Sequence, residues 1–239
     1  MPQRIVLALA IVAGMVTAWP TPFAQAFSGQ LQGIYGQVEN DELEGGEASL
    51  AVGSRFGLQL DGAYAELGED QLKGVGLHLL YRESESYLLG LLADHAELQD
   101  VDLNRVGVEG ELYAGPVTLA ATIGHQIGDI DDIAFGVVDL RWYPGADLML
   151  VAGGSLADSE DDRVHLGAEY QMMGGVSGYV DLAAGENRYD HALAGLRYYF
   201  GGDKELMQRH RREAAPNPII TNVLQGLAGI RSRQQELAR

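Results

Sequence analysis

The chain has 239 residues with 34 acidic and 16 basic side chains, which gives a formal net charge of −18. It contains no cysteine, which excludes disulfides, thiolate metal sites and cysteine nucleophiles. The acidity argues against a nucleic-acid partner, because the phosphates would be repelled. The 32 glycines are roughly twice the usual share and suit strands that bend or pack closely.

The N-terminus has the composition of a secretory signal peptide. Arg4 precedes an apolar run over residues 5–16, and Ala24-Gln25-Ala26 forms an A-x-A cleavage site. The run is too short to span a bilayer comfortably, although a retained membrane anchor is the alternative. We therefore predict that residues 1–26 are removed on export and that the mature protein begins at Phe27.

Residues 27–201 alternate strand-like runs with turn signals, which predicts an all-β domain. Each run has about ten residues, the length that a tilted strand needs to cross a bilayer. An even number of strands is typical of bacterial transmembrane barrels. The twelve predicted strands are 30–39, 46–54, 56–67, 72–82, 87–95, 103–114, 116–125, 133–143, 147–156, 163–173, 176–184 and 189–200.

The connections between these runs predict two unequal ends. One class is short, as at Ser54-Arg55 and Gly174-Gly175, and the other is longer and acidic, as at residues 40–44, 96–102 and 158–162. The two classes alternate along the chain. Transmembrane barrels have short turns on one side and longer loops on the other, whereas a soluble sandwich has no reason to sort its loops in this way.

Alternation within the runs predicts one apolar face and one charged face. Val164 and Leu166, for example, alternate with His165 and Glu169. A water-filled or salt-bridged lumen tolerates charges of both signs, and a dry core does not. We expect the lumen to be lined by Asp61, His78, Arg82, Arg105, Glu109, Glu111, Asp139, Arg141, Glu169, Asp181 and Arg197.

The segment Ala194-Gly195-Leu196-Arg197-Tyr198-Tyr199-Phe200 resembles the closing strand of bacterial outer-membrane β-barrels of the small porin-like kind. The resemblance implies a closed antiparallel transmembrane barrel of about twelve strands in contact with outer-membrane lipids. It also implies that Leu196, Tyr198 and Phe200 form the signal read by the barrel-assembly machinery. Relatives usually end at the aromatic residue, whereas this chain continues to Arg239.

The composition of residues 202–239 predicts a basic, partly helical extension after the barrel. Seven basic and four acidic residues follow Phe200, against eight and thirty between Phe27 and Phe200. The extension can be a loosely ordered periplasmic segment, a plug of the lumen, a helix on the inner leaflet, or the docking site of a periplasmic partner. Its positive charge favours the plug, because the barrel is negative.

The leading functional hypothesis is a passive channel for small solutes with an acidic extracellular side, in which acidic groups favour cations. One alternative is a structural or adhesive barrel that does not conduct. The other is an outer-membrane lipid or lipopolysaccharide hydrolase, for which Ser155 or Ser159 would need to meet His125 or His191. The spacings typical of zinc sites and phosphate-binding loops are absent, so we predict no metal, no cofactor and no enzymatic activity.

Overall fold

A computed structural model describes residues 27–83, 85–99, 101–129, 132–157, 162–186, 189–213 and 219–224. Its strands are β1 (Phe27–Val38), β2 (Asp41–Gly53), β3 (Phe56–Leu67), β4 (Asp70–Glu83), β5 (Tyr87–Leu98), β6 (Val101–Ala114), β7 (Val117–Gly128), β8 (Ile133–Gly145), β9 (Leu148–Ala157), β10 (Arg163–Met173), β11 (Val176–Gly185) and β12 (Asp190–Phe200).

These strands form one closed antiparallel barrel. Each strand pairs with its neighbours in sequence, and β1 closes on β12 with Gly29 opposite Phe200. Every predicted strand overlaps an observed one, so the prediction of a twelve-stranded barrel is confirmed. The predicted signal peptide lies outside the described residues and stays a prediction.

The outer face of the barrel is apolar. In β10, Val164 and Leu166 are exposed while Arg163 and Glu169 are buried, because successive side chains of a strand point to opposite faces. Exposed leucine, isoleucine and valine side chains recur on the strands around the barrel. An apolar surface that surrounds the whole barrel is typical of contact with lipid rather than with water.

Aromatic side chains mark the end of the barrel with the short turns. Phe56 is 75% exposed, and Trp142, Tyr170 and Tyr198 are about half exposed on the same outer face. Phe56, Trp142 and Tyr170 lie within a few residues of a short turn, and Tyr198 lies at the same end of the barrel, close to the end of β12. Aromatic residues form such a girdle where a transmembrane barrel meets the bilayer interface. We call this end the short-turn end and the opposite end the loop end.

The prediction of longer loops at the loop end is wrong for three of the six connections there. Only two residues separate β1 from β2, β3 from β4 and β5 from β6. Acidic residues that the sequence assigns to loops, such as Asp41, Glu42, Glu44, Glu97 and Asp102, belong to strands. Each of these short connections begins in the left-handed region, at Glu39 (φ 55°), Gly68 (φ 62°) and Gln99 (φ 53°).

The acidic residues at this end continue the strand alternation. Leu43 is fully buried inside, whereas Glu42 and Glu44 point outward. Charged outer residues are not suited to lipid, so the first strands extend beyond the apolar band and into water.

The C-terminal extension contributes two short helical pieces. Helix α1 (Leu206–Arg212) follows β12 closely, and residues 219–224 are also helical. In the described part of the chain, no helix is long and apolar enough to cross a bilayer. Leu206 packs with Tyr143, Met149 and Tyr199 near the short-turn end.

A larger apolar cluster fills the loop-end half of the lumen. Its members from the strands include Leu43, Leu67, Leu72, Leu98 and Leu103, each close to the loop end of its strand. The tail contributes Ile219, Ile220, Val223 and Leu224 to the same cluster. The described part of the tail therefore lies inside the barrel, with α1 near one end and residues 219–224 near the other.

Candidate functional site

The candidate site is the lumen together with the tail that occupies it. At the short-turn end, Arg211 donates hydrogen bonds to the carbonyl oxygens of Gly115 and Val117, both at 2.9 Å, and to the hydroxyl of Thr118 at 3.1 Å. Its guanidinium also lies 4.7 Å from the ring centroid of Tyr113. These partners belong to β6, β7 and the turn between them.

Arg209 fixes the opposite side of α1. Its Nε donates to Gln171 Oε1 at 2.9 Å, and its Nη2 donates to the carbonyl oxygen of Gly202 at 2.8 Å. Glu213 accepts from Arg209 Nη1 at 3.3 Å and from Lys204 Nζ at 2.5 Å. The charges of Lys204, Arg209 and Glu213 are therefore paired with one another.

His210 lies between the hydroxyls of two tyrosines, Tyr143 at 3.0 Å and Tyr199 at 2.7 Å. Burial, followed by the positive charges of Arg197, Arg141 and Arg209, lowers the pKa of His210 well below its ordinary value. The imidazole is therefore neutral at pH 7.

Residues 219–224 bind to the barrel wall through backbone groups as well as through apolar side chains. The amide of Ile220 donates to Glu47 Oε1 at 2.5 Å, and Arg163 Nη1 donates to the carbonyl oxygen of Leu224 at 2.9 Å. Glu47 lies in β2 and Arg163 begins β10 at the loop end. These contacts attach the tail to two strands, β2 and β10, that are separated by three others in the barrel.

All eleven residues predicted to line a lumen have side chains inside the barrel. Eight are buried, and Glu109, Asp139 and Asp181 border the internal cavity. Whether they line an open path stays a prediction. Most of them belong to three clusters of opposite charge, which sequence periodicity does not reveal.

The first cluster joins β3, β4 and β6. The imidazole of His78 lies 3.1 Å from Asp61 Oδ2 through Nε2 and 2.7 Å from Glu109 Oε1 through Nδ1. One buried histidine therefore bridges two carboxylates on different strands.

The second cluster runs across β6, β8, β10, β11 and β12. Arg141 Nη1 donates to Glu111 Oε1 at 2.7 Å, and its Nη2 lies 3.7 Å from Asp139 Oδ2. His165 bridges Asp139, at 2.9 Å, and Asp181, at 3.1 Å. Asp181 then reaches His191 Nε2 at 2.5 Å.

The third cluster connects the lumen to the tail. Arg197 forms an ion pair with Glu169 and donates from Nε to Gln32 Oε1 at 2.9 Å. Tyr199 donates its hydroxyl proton to Glu169 Oε1 at 2.8 Å. His210 lies against the same hydroxyl, so the polar lumen and α1 share one hydrogen-bond network.

Two of the eleven residues, Arg82 and Arg105, differ from the others. Nε and Nη2 of Arg82, and Nε and Nη1 of Arg105, are buried without a hydrogen-bond partner in the described structure. Arg105 instead stacks on the ring of Phe135, with its guanidinium 4.0 Å from the ring centroid. These groups keep unused donor capacity.

Sequence reasoning missed several interior residues. Asp94 lies near the end of a predicted strand, and Arg163 begins another. The alternation could have identified Asp94, because it shares the parity of buried Leu92 and Ala96. Other interior residues with a charged or hydrogen-bonding role that were not among the predicted eleven include Gln32, Glu47, Gln171 and His191.

The three residues predicted to form an assembly signal lie on β12. Leu196 and Tyr198 are exposed on the outer face, and Phe200 continues their alternation. The strand forms the seam with β1. Recognition of these residues by an assembly machinery stays a prediction.

The residues considered for a hydrolase do not form the required arrangement. Both ring nitrogens of His191 are engaged, Nε2 with Asp181 at 2.5 Å and Nδ1 with the hydroxyl of Tyr189 at 2.7 Å. His125 is exposed on the other face of the sheet from buried Ser155. Ser159 lies outside the described residues. This geometry argues against a serine hydrolase built from these groups.

A cavity of about 180 Å³ remains beside residues 219–224. Its wall comprises residues of β1, of the strands from β5 to β12, and of the tail, where Thr221 and Asn222 contribute. The apolar side chains of the tail pack mainly with residues of β1 to β6, together with Tyr189 and Leu193, whereas Thr221 and Asn222 border the polar cavity.

No protein-family model matches the sequence, and no curated protein matches it at a significant level. Similar solved structures were found instead. The NanC porin superimposes with a TM-score of 0.61 at 6% identity, covering 70% of this chain and 98% of the porin. The KdgM porin in complex with disordered oligogalacturonate gives 0.57 at 11% identity, covering 71% and 98%.

The outer membrane phospholipase dimer of Salmonella typhi with bound calcium gives a TM-score of 0.53 at 11% identity, covering 72% of this chain and 90% of the phospholipase. At these identities the likeness concerns the fold, which serves both transport and hydrolysis in the matched proteins. The chain therefore has the closed β-barrel fold of bacterial outer-membrane proteins, the group that its closing strand resembles.

Proposed function

We propose that the protein is a porin-like outer-membrane channel for small solutes that rests in a closed state, with its own C-terminal tail in the lumen. The single observation that carries the proposal is the position of the tail. Helix α1 obstructs the short-turn end, residues 219–224 fill part of the loop end, and a polar cavity remains between them and the far wall.

The proposed orientation follows from the turns. Short turns face the periplasm in transmembrane barrels, so α1 would close the periplasmic mouth and the acidic strand ends would face outward. Outer-membrane lipids and the barrel-assembly machinery are the partners implied by this location. The structural likeness to two porins supports the proposal at the level of fold.

The contrast between the two sides of the tail favours a channel over a solid core. Residues 219–224 pack through Ile219, Ile220, Val223 and Leu224 on an apolar wall, whereas Thr221 and Asn222 face the charged cavity. Displacement of the tail would join this cavity to both mouths. Its wall carries six carboxylates and four arginines, so we expect the open channel to prefer cations modestly.

A second candidate, a barrel that never conducts, is favoured by the pairing of the lumen charges. The clusters around His78, Arg141 and Arg197 connect strands across the interior, in most contacts past one intervening strand. Such clusters can stiffen a closed barrel as well as shape a pore.

Single-channel recording in planar bilayers separates the two candidates. The full chain without residues 1–26 is compared with a chain that ends at Gly202 and with the full-length variant Arg211→Ala. We expect rare openings from the full chain and stepwise, cation-preferring conductance from the other two. Folding of each protein is checked by the change in its gel mobility on heating. The absence of conductance from all three folded proteins would contradict the channel and support the non-conducting barrel.

A further inference from the structure

Among the residues that the structure describes, one pair of charged residues beside the internal cavity forms no hydrogen bond or ion pair through its buried side-chain atoms. Ten acidic residues and arginines border it, and eight of them have a hydrogen-bonded or ionic partner within the described residues. The two exceptions are Asp94 and Arg105. Because the other eight charged residues beside the cavity have partners, the absence of partners for Asp94 and Arg105 requires a separate explanation.

Asp94 and Arg105 are neighbours across the sheet. Asp94 of β5 lies directly opposite Arg105 of β6, yet no ion pair within 4.0 Å joins them in the described structure. Both are buried, at 8% and 5% exposure. Asp94 Oδ1 and Arg105 Nε and Nη1 have no hydrogen-bond partner there. Unpaired charges at such depth are costly unless something supplies the missing contacts.

Both side chains are held in place by contacts that do not neutralise them. Arg105 stacks its flat face on the ring of Phe135, with 4.0 Å between the guanidinium and the ring centroid. Stacking leaves the edge of a guanidinium free to bind a carboxylate. Asp94 occupies the space beside Gly76, where a Cβ added to the glycine would lie 2.8 Å from Oδ1. Glycine at that position makes room for the carboxylate.

We propose that Asp94 and Arg105 form a binding site for a small zwitterion of the amino-acid class. The carboxylate of the ligand binds Arg105, and its ammonium group binds Asp94. A simple anion would leave Asp94 unmatched, and a simple cation would leave Arg105 unmatched, so only a ligand with both charges satisfies the pair. The cavity volume of about 180 Å³ admits a molecule of this size.

The inference rests on the proposed function, because it names the solute class of the channel. Thr221 and Asn222 of the tail form one wall of the same cavity. A ligand bound there would leave through the space that the displaced tail vacates. The binding site can nevertheless be tested without any measurement of conductance.

Equilibrium dialysis of the folded full-length mature protein in detergent measures the binding, with dialysis long enough for slow entry. The probes are radiolabelled glycine, β-alanine and 4-aminobutyrate, compared with propionate and propylamine. We expect at least one amino acid to bind ten times more tightly than both singly charged compounds. Asp94→Asn and Arg105→Gln should each remove that preference, whereas Arg55→Gln, an exposed residue at the short-turn end, should retain it.

The proposed site would be contradicted if no amino acid binds, or if propionate or propylamine binds as tightly as the amino acids. It would also be contradicted if Asp94→Asn and Arg105→Gln keep the preference for amino acids. Both variants must first show the heat-induced gel shift of a folded barrel. Conductance without amino-acid binding would contradict the proposed binding site but support the channel. Binding without conductance would support the binding site but contradict the channel.

Discussion

The imidazole of His210 and the hydroxyl of Tyr199, 2.7 Å apart, join the tail to the last strand of the barrel. Tyr199 gives its proton to Glu169 Oε1, so the hydroxyl oxygen accepts from His210 Nε2. Nδ1 of the neutral ring then accepts from the hydroxyl of Tyr143. The proton positions along Tyr143, His210, Tyr199 and Glu169 are therefore determined, and each group in the chain has a partner.

We expect Tyr199→Phe to weaken the barrel–tail contact because it leaves Glu169 Oε1 and His210 Nε2 without their partner. An unsatisfied buried polar group costs about 1–3 kcal/mol. The change should lower the guanidinium concentration at which half of the protein loses the gel mobility of the folded barrel. It should also speed tryptic cleavage after Arg209. Tyr198→Phe is the matched control, because Tyr198 is exposed on the outer face. Equal effects of the two changes would contradict this account of the hydrogen-bond chain.

Acidification should release the tail. The pKa of His210 is lowered in the docked state and returns to its ordinary value near 6.5 when α1 leaves the barrel. Docking is therefore strongest above about pH 6.5 and weakens as the pH falls from that value toward the docked pKa, by up to about tenfold per pH unit. Glu169, 3.6 Å from Nε2, opposes the effect, while the nearby Arg197, Arg141 and Arg209 reinforce it.

The pH dependence is measured as the rate of tryptic cleavage of the tail between pH 7.5 and 5.5, corrected with an unfolded substrate. His78, His165 and His191 also lie within the lumen. The variant His210→Asn keeps those three histidines and should lose the additional acceleration at low pH. A wild-type profile that matches the variant would exclude His210 as the titrating group.

The two adjacent arginines of α1 should contribute very differently to closure. Arg211 is buried and donates to two backbone carbonyls and a hydroxyl, whereas Arg212 is half exposed in an ion pair with Glu85. We expect Arg211→Ala to weaken docking by about 2 kcal/mol and to raise the open probability of channels more than tenfold. Arg212→Ala should change it less than twofold, because exposed ion pairs contribute little. Similar open probabilities for the two variants would show that α1 is not the gate.

A methyl group added at Gly74 should disturb residues 219–224 without touching α1. The new Cβ would lie 2.7 Å from Ile219 Cγ2, too close for an undisturbed contact. We expect Gly74→Ala to increase the accessibility of this segment in hydrogen–deuterium exchange while α1 stays protected. Gly62→Ala is the control, because nothing lies within 4 Å of its added Cβ. Unchanged exchange at residues 219–224 would show that the segment does not pack on β4.

The strands could be predicted because their alternation is a local property of the sequence. The same rule places Asp61, Glu109 and Arg141 inside, since a charged residue between two lipid-facing ones has only one suitable face. The loop lengths are less predictable. Asp41, Glu42 and Glu44 suggest a solvated loop by composition, and only buried Leu43 among them shows that the strand continues.

The partners of each charge could not be predicted in the same way. Arg197 and Glu169 are separated by one intervening strand, and their contact depends on the curvature of the closed barrel. The pairing of Ile220 with Glu47 depends on the path of the tail, for which the strand sequences carry no signal.

Because the tail follows the final strand, it also bears on how the barrel is completed. Only five residues separate the end of β12 from the start of α1. When β12 pairs with β1, α1 is therefore tethered beside the mouth at an effective concentration on the order of millimolar or higher. The inner surface of Tyr143 and Met149, against which Leu206 of α1 packs, would otherwise face water at that moment. We therefore expect closure of the seam and docking of α1 to be coupled during folding.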